Sequence, residues 1–215
     1  MWPGQIGRAA IFISFCAALL SGISYFFATQ HRKDETLSGS WRKLGRISFG
    51  VHGLSVFLVI GLIFYVMVNN YYEYQYVQAH VNDDLQFRYI FSAFWEGQEG
   101  SFLLWMFWHV ILGGLLILSA KEWESPVLTI VNSAQVIIGS MILGVYIGFG
   151  PEAFRLGSNP MLLLRDTMNI PLFANADYVS LLEGTGLNPL LQNWWMTVHP
   201  PTLFLGFAST VVPFP

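Results

Sequence analysis

Charge is what this chain has least of: Asp, Glu, Lys and Arg make up 11% of its 215 residues, against about a quarter in ordinary soluble domains. With 10 Lys and Arg and a formal net charge of −3 it lacks the basic surface a nucleic-acid binder needs. Its single cysteine, Cys16, excludes an internal disulfide framework; lying inside an apolar run, it reads as a packing residue. No repeat and no low-complexity tract is present. What remains is apolar, 54% hydrophobic and 16% aromatic. Four stretches, 9–29, 47–68, 101–120 and 127–149, contain no charged side chain, and each exceeds the roughly 18 residues that mark a membrane-spanning helix. The expected fold is therefore all-α, a polytopic transmembrane helix bundle.

The first run is expected to be a retained helix. Its apolar stretch exceeds the roughly 7–15 residues of a signal-peptide core, and more positive charge follows than precedes it. Arg32, Lys33, Arg42, Lys43 and Arg46, half of the basic residues, fall between the first two runs. The positive-inside rule places that loop in the cytoplasm and the N-terminus outside. Segments 69–100 and 150–197 then become outer-face loops and 121–126 an inner turn. A fifth helix is expected over 198–215, entering at the two prolines that a helix start tolerates. A bundle ending there reads as a single membrane domain that forms the N-terminal part of a longer protein, or one half of a split one. Within the outer loops, Tyr71, Tyr72, Tyr74 and Tyr76 read as an interfacial aromatic belt. Residues 160–164 and 177–182 read as short interfacial helices, the second with Asp177 as N-cap and Gly184 as stop.

Five histidines are the candidate chemistry. His31 lies in the basic inner loop. His52 and His109 are intramembrane, where an ionisable side chain is a functional hypothesis by default. Counting from the ends of their runs puts His52 roughly 7.5 Å and His109 roughly 12 Å from opposite faces, about 10 Å apart in depth, too far to share one iron. His199 follows Trp194 and Trp195 and precedes Pro200 and Pro201 where an apolar helix meets the outer surface. Spacing alone leaves two readings of it: an interfacial anchor with a capping imidazole, or an iron ligand beside flat aromatic faces that suit haem.

Three outer-face stretches carry a resemblance. The run 76–80 followed by Tyr89-Ile90-Phe91-Ser92-Ala93-Phe94-Trp95-Glu96-Gly97-Gln98-Glu99-Gly100-Ser101, the tetrad Gly157-Ser158-Asn159-Pro160, and Leu187-Asn188-Pro189-Leu190-Leu191-Gln192 leading to His199-Pro200-Pro201 together resemble the cytochrome c maturation haem lyase family (CcmF type, with its nitrite-reductase-associated relative). The resemblance runs through essentially the whole chain. It implies a multi-pass protein of the bacterial inner membrane that receives haem from a periplasmic haem chaperone. There it works with apocytochrome c and its thiol-handling assembly proteins, and helps attach haem to the two thiols of a Cys-x-x-Cys-His motif. The haem is b-type and becomes c-type. The resemblance further implies that His199 is an axial haem ligand at the outer surface. Trp95, Gly97, Glu99, Gly100, Asn188, Pro189, Pro200 and Pro201 are implied as supporting motif residues.

The departures are specific. Gln98 stands where the family has histidine, and Glu96 where it has glycine. The family's tryptophan-rich motif, which follows the His-Pro-Pro helix, is not among these residues, nor are its second outer histidine and its transmembrane haem ligands. His52 and His109 do not fall on those positions. Two rival functions are a b-haem membrane anchor of a respiratory complex, which needs paired histidines at matched depth, and a transporter of haem or another small molecule. For the second, Asn132 and Gln135 could line a polar path. Glu99 and Asp177 read first as solvated loop residues.

Overall fold

A computed structural model of the chain describes residues 2–148 and 154–212. It is a helical bundle with one two-stranded hairpin: α1 (Trp2–Gln30), α2 (Glu35–Val68), α3 (Gln75–His80), α4 (Phe87–Glu96), α5 (Gln98–Ser119), α6 (Glu124–Met141), β1 (Val145–Ile147), β2 (Phe154–Leu156), α7 (Leu164–Thr167) and α8 (Trp194–Ser209). Three of these, α1, α2 and α5, are long and apolar enough to cross a membrane. Large apolar side chains on their outward faces, Phe12, Ile13, Leu54, Leu58, Leu115 and Leu118 among them, are exposed, as a lipid-facing surface requires. Cys16 is also exposed, on α1, and so does not pack inside the bundle.

The inward face of α1 is built from small residues. Gly4, Gly7, Ala10, Ser14, Ala17, Ala18, Ser21, Ser24 and Ala28 are all buried, and small side chains let helix backbones approach where lipid provides no hydrophobic drive. α1 packs chiefly on α2 and then on α6. Its contact with α2 is close enough for Ser21 Oγ to donate to the Gly45 carbonyl at 2.9 Å, with Gly45 flat against the Tyr25 ring. Asp34 caps α2, accepting from the Leu37 amide at 3.1 Å. The helix therefore begins at Glu35, well before the apolar run at 47. A helix needs caps and backbone hydrogen bonds, not apolar side chains, to continue past the hydrocarbon.

The helix expected over 127–149 is shorter in the structure. α6 ends at Met141 and the chain turns into β1, which pairs antiparallel with β2 in the register Val145↔Leu156, Tyr146↔Arg155, Ile147↔Phe154. Gly144 takes a φ of +65° directly against Asn159, a left-handed turn only glycine makes without strain. The Ser158 amide donates to the Met141 carbonyl at 2.9 Å, closing the helix end. The fifth helix begins earlier than expected, at Trp194, and is helical through Ser209. Residues 149, 150–153 and 213–215, included in the expected elements, lie outside the described residues. The expected short helices also shift. Residues 160–163 form a turn and an isolated bridge to Tyr74 before α7, and 177–182 yields a 3-10 turn over Tyr178–Leu181 that Asp177 precedes without a side-chain cap.

The tyrosines after α2 are not a lipid-facing belt. Tyr72, Tyr74 and Tyr76 are buried, at alternate positions on one side of a chain that crosses one end of the bundle. Each hydroxyl is used: Tyr72 donates to Asp83 Oδ1 at 2.7 Å, Tyr74 accepts from the Gly4 amide at 3.0 Å, and Tyr76 donates to the Phe94 carbonyl. Burial raises the Tyr76 phenol well above its usual range and also raises that of Tyr72, so both stay protonated donors at any physiological pH.

At the opposite end, Glu124 is buried at the start of α6. Arg46 Nε and Nη2 meet its two carboxylate oxygens at 2.7 and 2.5 Å, and Tyr25 donates to Oε1 at 3.1 Å. One carboxylate thus fastens α1, α2 and α6. Removing the cation by Arg46→Ala strands that carboxylate. The expected loss is on the order of 2–3 kcal/mol, below the roughly 3–5 of a fully buried pair because the guanidinium is half exposed. The double replacement Arg46→Leu with Glu124→Leu is expected to be milder than Arg46→Ala alone. Unfolding in detergent micelles measures both, and equal losses would contradict the clamp.

A candidate ligand site around His199

The site begins with a backbone defect. In α8 the carbonyls of Met196 and Thr197 would accept from the amides of residues 200 and 201, but Pro200 and Pro201 have none. For Met196 the donor comes from another helix. Trp95 of α4 gives its indole Nε1–H to the Met196 carbonyl at 2.6 Å, and Trp108 of α5 gives its own to the Pro201 carbonyl at 2.9 Å. Ser92 and Thr197 share a hydroxyl hydrogen bond at 3.1 Å. The turn between Met196 and Pro201 is therefore held from both ends, and His199 sits within it.

The start of α8 is also set by side chains. Asn188 Oδ1 accepts from the Leu190 amide at 3.0 Å, with Pro189 opening the 3-10 turn Pro189–Leu191. Gln192 Nε2 ties back to the Leu187 carbonyl at 3.0 Å. Asn193 then caps α8, accepting from the Met196 amide at 3.2 Å and donating to the Leu190 carbonyl at 2.9 Å. The side turned away from α4 and α5 is open: His199 is exposed, Trp194 and Trp195 are 69% and 73% exposed, and Gly206 faces open space. Trp195 and His199, four apart, share one helix face. Among the described residues the His199 ring takes part in no hydrogen bond or ion pair, so both nitrogens are free. An imidazole fixed by its backbone, free at its nitrogens and flanked by an exposed indole, is a donor set that fits iron in a flat macrocycle.

The other motif residues divide by role. Gly97 and Gly100 are buried against Tyr76, and a Cβ on Gly100 would overlap the Phe94 carbonyl; they shape the α4–α5 corner rather than meet His199. Glu99 is half-buried, while Gln98 and Glu96 are exposed. Glu96 lies 3.9 Å from His80, whose Nδ1 is held by the Tyr76 carbonyl at 2.7 Å. Ser92, Trp108, Asn193 and Thr197 belong to the site but were not singled out from sequence. The signal for Asn193 was present, since an Asn one residue before a helical run is a cap.

His52 and His109 differ from their expected placement. Gly53 packs on Val110 and Gly113 on the Phe49 ring, which brings the two histidines to the same level on facing helices. The ends of charge-free runs do not mark common planes, so the depth offset counted from them fails. Both are buried, 0% and 2% exposed. Ser14 holds His52 Nδ1 through its carbonyl and hydroxyl, each at 3.0 Å. The same tight helix contact, where a Cβ on Gly53 would stand 2.9 Å from Val110, leaves no room for a macrocycle between α2 and α5. Asn132 and Gln135 are also fully buried; Gln135 Nε2 joins α6 to α5 through the Met106 carbonyl at 3.0 Å and Asn132 bonds its own helix at Leu128. Gln135 thus fastens two helices, while Asn132 stays bonded within α6.

Fold and site define a membrane-embedded helical protein that presents an imidazole and indoles at one end of the bundle. Comparison with known proteins gives that class a family context. The cytochrome c-type biogenesis protein CcmF of Pseudomonas aeruginosa is 27% identical over 215 residues, 98% of this chain and 28% of its own length. CcmF of Escherichia coli is 29% identical over 210 residues, covering 98% and 29%. The cytochrome c-type biogenesis protein NrfE of Haemophilus influenzae is 32% identical over 211 residues, 94% and 29%. The chain is thus related along nearly its whole length to CcmF-type cytochrome c biogenesis proteins, as its motifs imply, and spans less than a third of theirs. No family model and no solved structure matches it.

Replacing Trp95 by Phe keeps the ring packing and removes the donor to Met196, leaving a carbonyl unpaired at a cost of roughly 1–3 kcal/mol. Amide hydrogen exchange in the first turns of α8 is expected to quicken about tenfold or more by the same measure. Unchanged exchange would show that the indole is not the missing donor.

Proposed function

We propose that this chain is the part of a cytochrome c maturation protein that seats haem at the outer membrane surface, with His199 as an axial ligand to its iron. The observation that carries the reading is the free imidazole of His199, locked in position by hydrogen bonds on both sides of it and standing beside exposed indoles. Relatives named as cytochrome c-type biogenesis proteins support it. On this reading the bundle lies in the bacterial inner membrane with its N-terminus in the periplasm. Haem arrives from a periplasmic haem chaperone, and apocytochrome c with its thiol-handling proteins docks on the same side.

Haem is the substrate here. Each thioether forms by adding a thiol S–H across a vinyl double bond, sulfur to one carbon and hydrogen to the other, with no net gain or loss of electrons. Both sulfurs belong to the acceptor peptide, so this chain needs no nucleophile. What it contributes is orientation: a fixed iron–imidazole axis beside a flat aromatic surface presents one edge of the macrocycle to the peptide, and pre-set geometry is worth several kcal/mol of barrier in reactions of this kind, about 7–11 at most. The haem lyase activity itself is a property we assign to the complete assembly. A b-haem anchor is less well supported. The two intramembrane histidines do share a level, but the helices that carry them are packed too closely to admit the ring.

Replacing His199 by Ala in the complete assembly is expected to remove its outer-surface haem and abolish cytochrome c maturation, with added imidazole restoring part of the haem absorbance. Unchanged haem content together with unchanged maturation would eliminate the proposal.

A further inference from the structure

Beyond the Arg46–Glu124 clamp, the end of α1, the first turns of α2 and the turn into α6 surround an open cavity of about 580 Å³. Four charged side chains line it: Arg32, Arg42, Glu35 and Glu122. Two are cationic and two anionic, yet among the described residues no ion pair joins them to each other. Opposite charges set around one space without meeting are complementary to a ligand that carries both signs. The level of the cavity narrows the choice. Arg42 lies one helical turn past Arg46, roughly 6 Å, which places it in the headgroup layer flanking a hydrocarbon core of about 30 Å. Trp123 borders the same cavity and is 58% exposed, the position an indole takes at a lipid interface. Gly39 on α2 also lines it, and a side chain built there would meet nothing within 4 Å.

We propose that this cavity binds the headgroup of a zwitterionic phospholipid with a primary ammonium, of the phosphatidylethanolamine type. The phosphate faces the guanidinium groups of Arg32 and Arg42, which suit its oxygens by charge and fork geometry. The ammonium donates to the carboxylates of Glu35 and Glu122. A choline headgroup has no N–H to give them, and a glycerol headgroup has no cation, so the site separates lipids by chemistry rather than by charge alone. An occupied cavity would wedge the α1–α2 turn against the start of α6 and support the clamp beneath it.

The test uses the full-length membrane protein reconstituted in bilayers of equal phosphatidylethanolamine, phosphatidylcholine and phosphatidylglycerol, followed by mass spectrometry of the lipid that stays bound after extraction. The ethanolamine lipid is expected to be enriched about tenfold, the worth of one charge-assisted hydrogen bond. Gly39→Phe, which puts a bulky ring where a Cβ meets nothing within 4 Å, should return retention to the bulk ratio, while Gly39→Ala should keep the enrichment. Arg42→Gln should lower it. Retention at the bulk ratio in the unaltered protein, preference for the glycerol lipid, or enrichment that survives Gly39→Phe in a protein with an unchanged melting temperature would each overturn the proposal. Displacement by soluble glycerophosphoethanolamine at the concentration of the bound lipid would overturn the assignment to a membrane lipid.

Discussion

Two absent backbone hydrogens, those of Pro200 and Pro201, organise the His199 end of this molecule. They leave two carbonyls of α8 without partners inside the helix, and in a low-dielectric setting an unpaired carbonyl is costly. The structure meets one of them with the indole of Trp95 and adds the indole of Trp108 to the carbonyl of Pro201. A helix that would otherwise be free to slide along its neighbours is thereby fixed to α4 and α5. The side left uncovered is the one that carries His199 and Trp195. Site and scaffold are in this sense a single arrangement.

Similar bonds recur in the bundle, although both ring nitrogens of His109 and the side-chain oxygens of Asn132 and Gln135 are buried without a hydrogen-bond partner. Ser21 reaches the Gly45 carbonyl, Gln135 the Met106 carbonyl, and His52 the Ser14 carbonyl. These bonds are short-range and directional, and they set which helix faces which. Apolar packing between small residues then brings the backbones close enough for the bonds to form. Glu124 is the strongest case, a carboxylate buried where only a bidentate guanidinium and a phenol make burial tolerable.

Sequence made the long helices legible because runs without charge report directly on the solvent around them; for His199 spacing alone left two readings open, and the likeness of its His-Pro-Pro element to a known family singled it out. It was less informative wherever the controlling contact is long-range. The burial of Tyr72, Tyr74 and Tyr76 depends on partners at Asp83, Gly4 and Phe94, none of which local pattern identifies, so an aromatic run at a membrane exit reads as an interfacial belt. The early end of α6 at Met141 was partly visible in Gly144, but the hairpin that replaces the last turns needs Phe154–Leu156 as its second strand. The common level of His52 and His109 is set by Gly53 on Val110 and Gly113 on Phe49, contacts between residues about sixty positions apart in the chain and invisible to counting along either helix.

The bond between the Gly4 amide and the Tyr74 hydroxyl spans 70 positions. An amide in the opening turn of the first helix is thus satisfied by a residue that emerges from the ribosome only after the second helix is complete. The N-terminal end of α1 must wait, hydrated or frayed, until that tyrosine arrives, so it settles only after the helix that follows it.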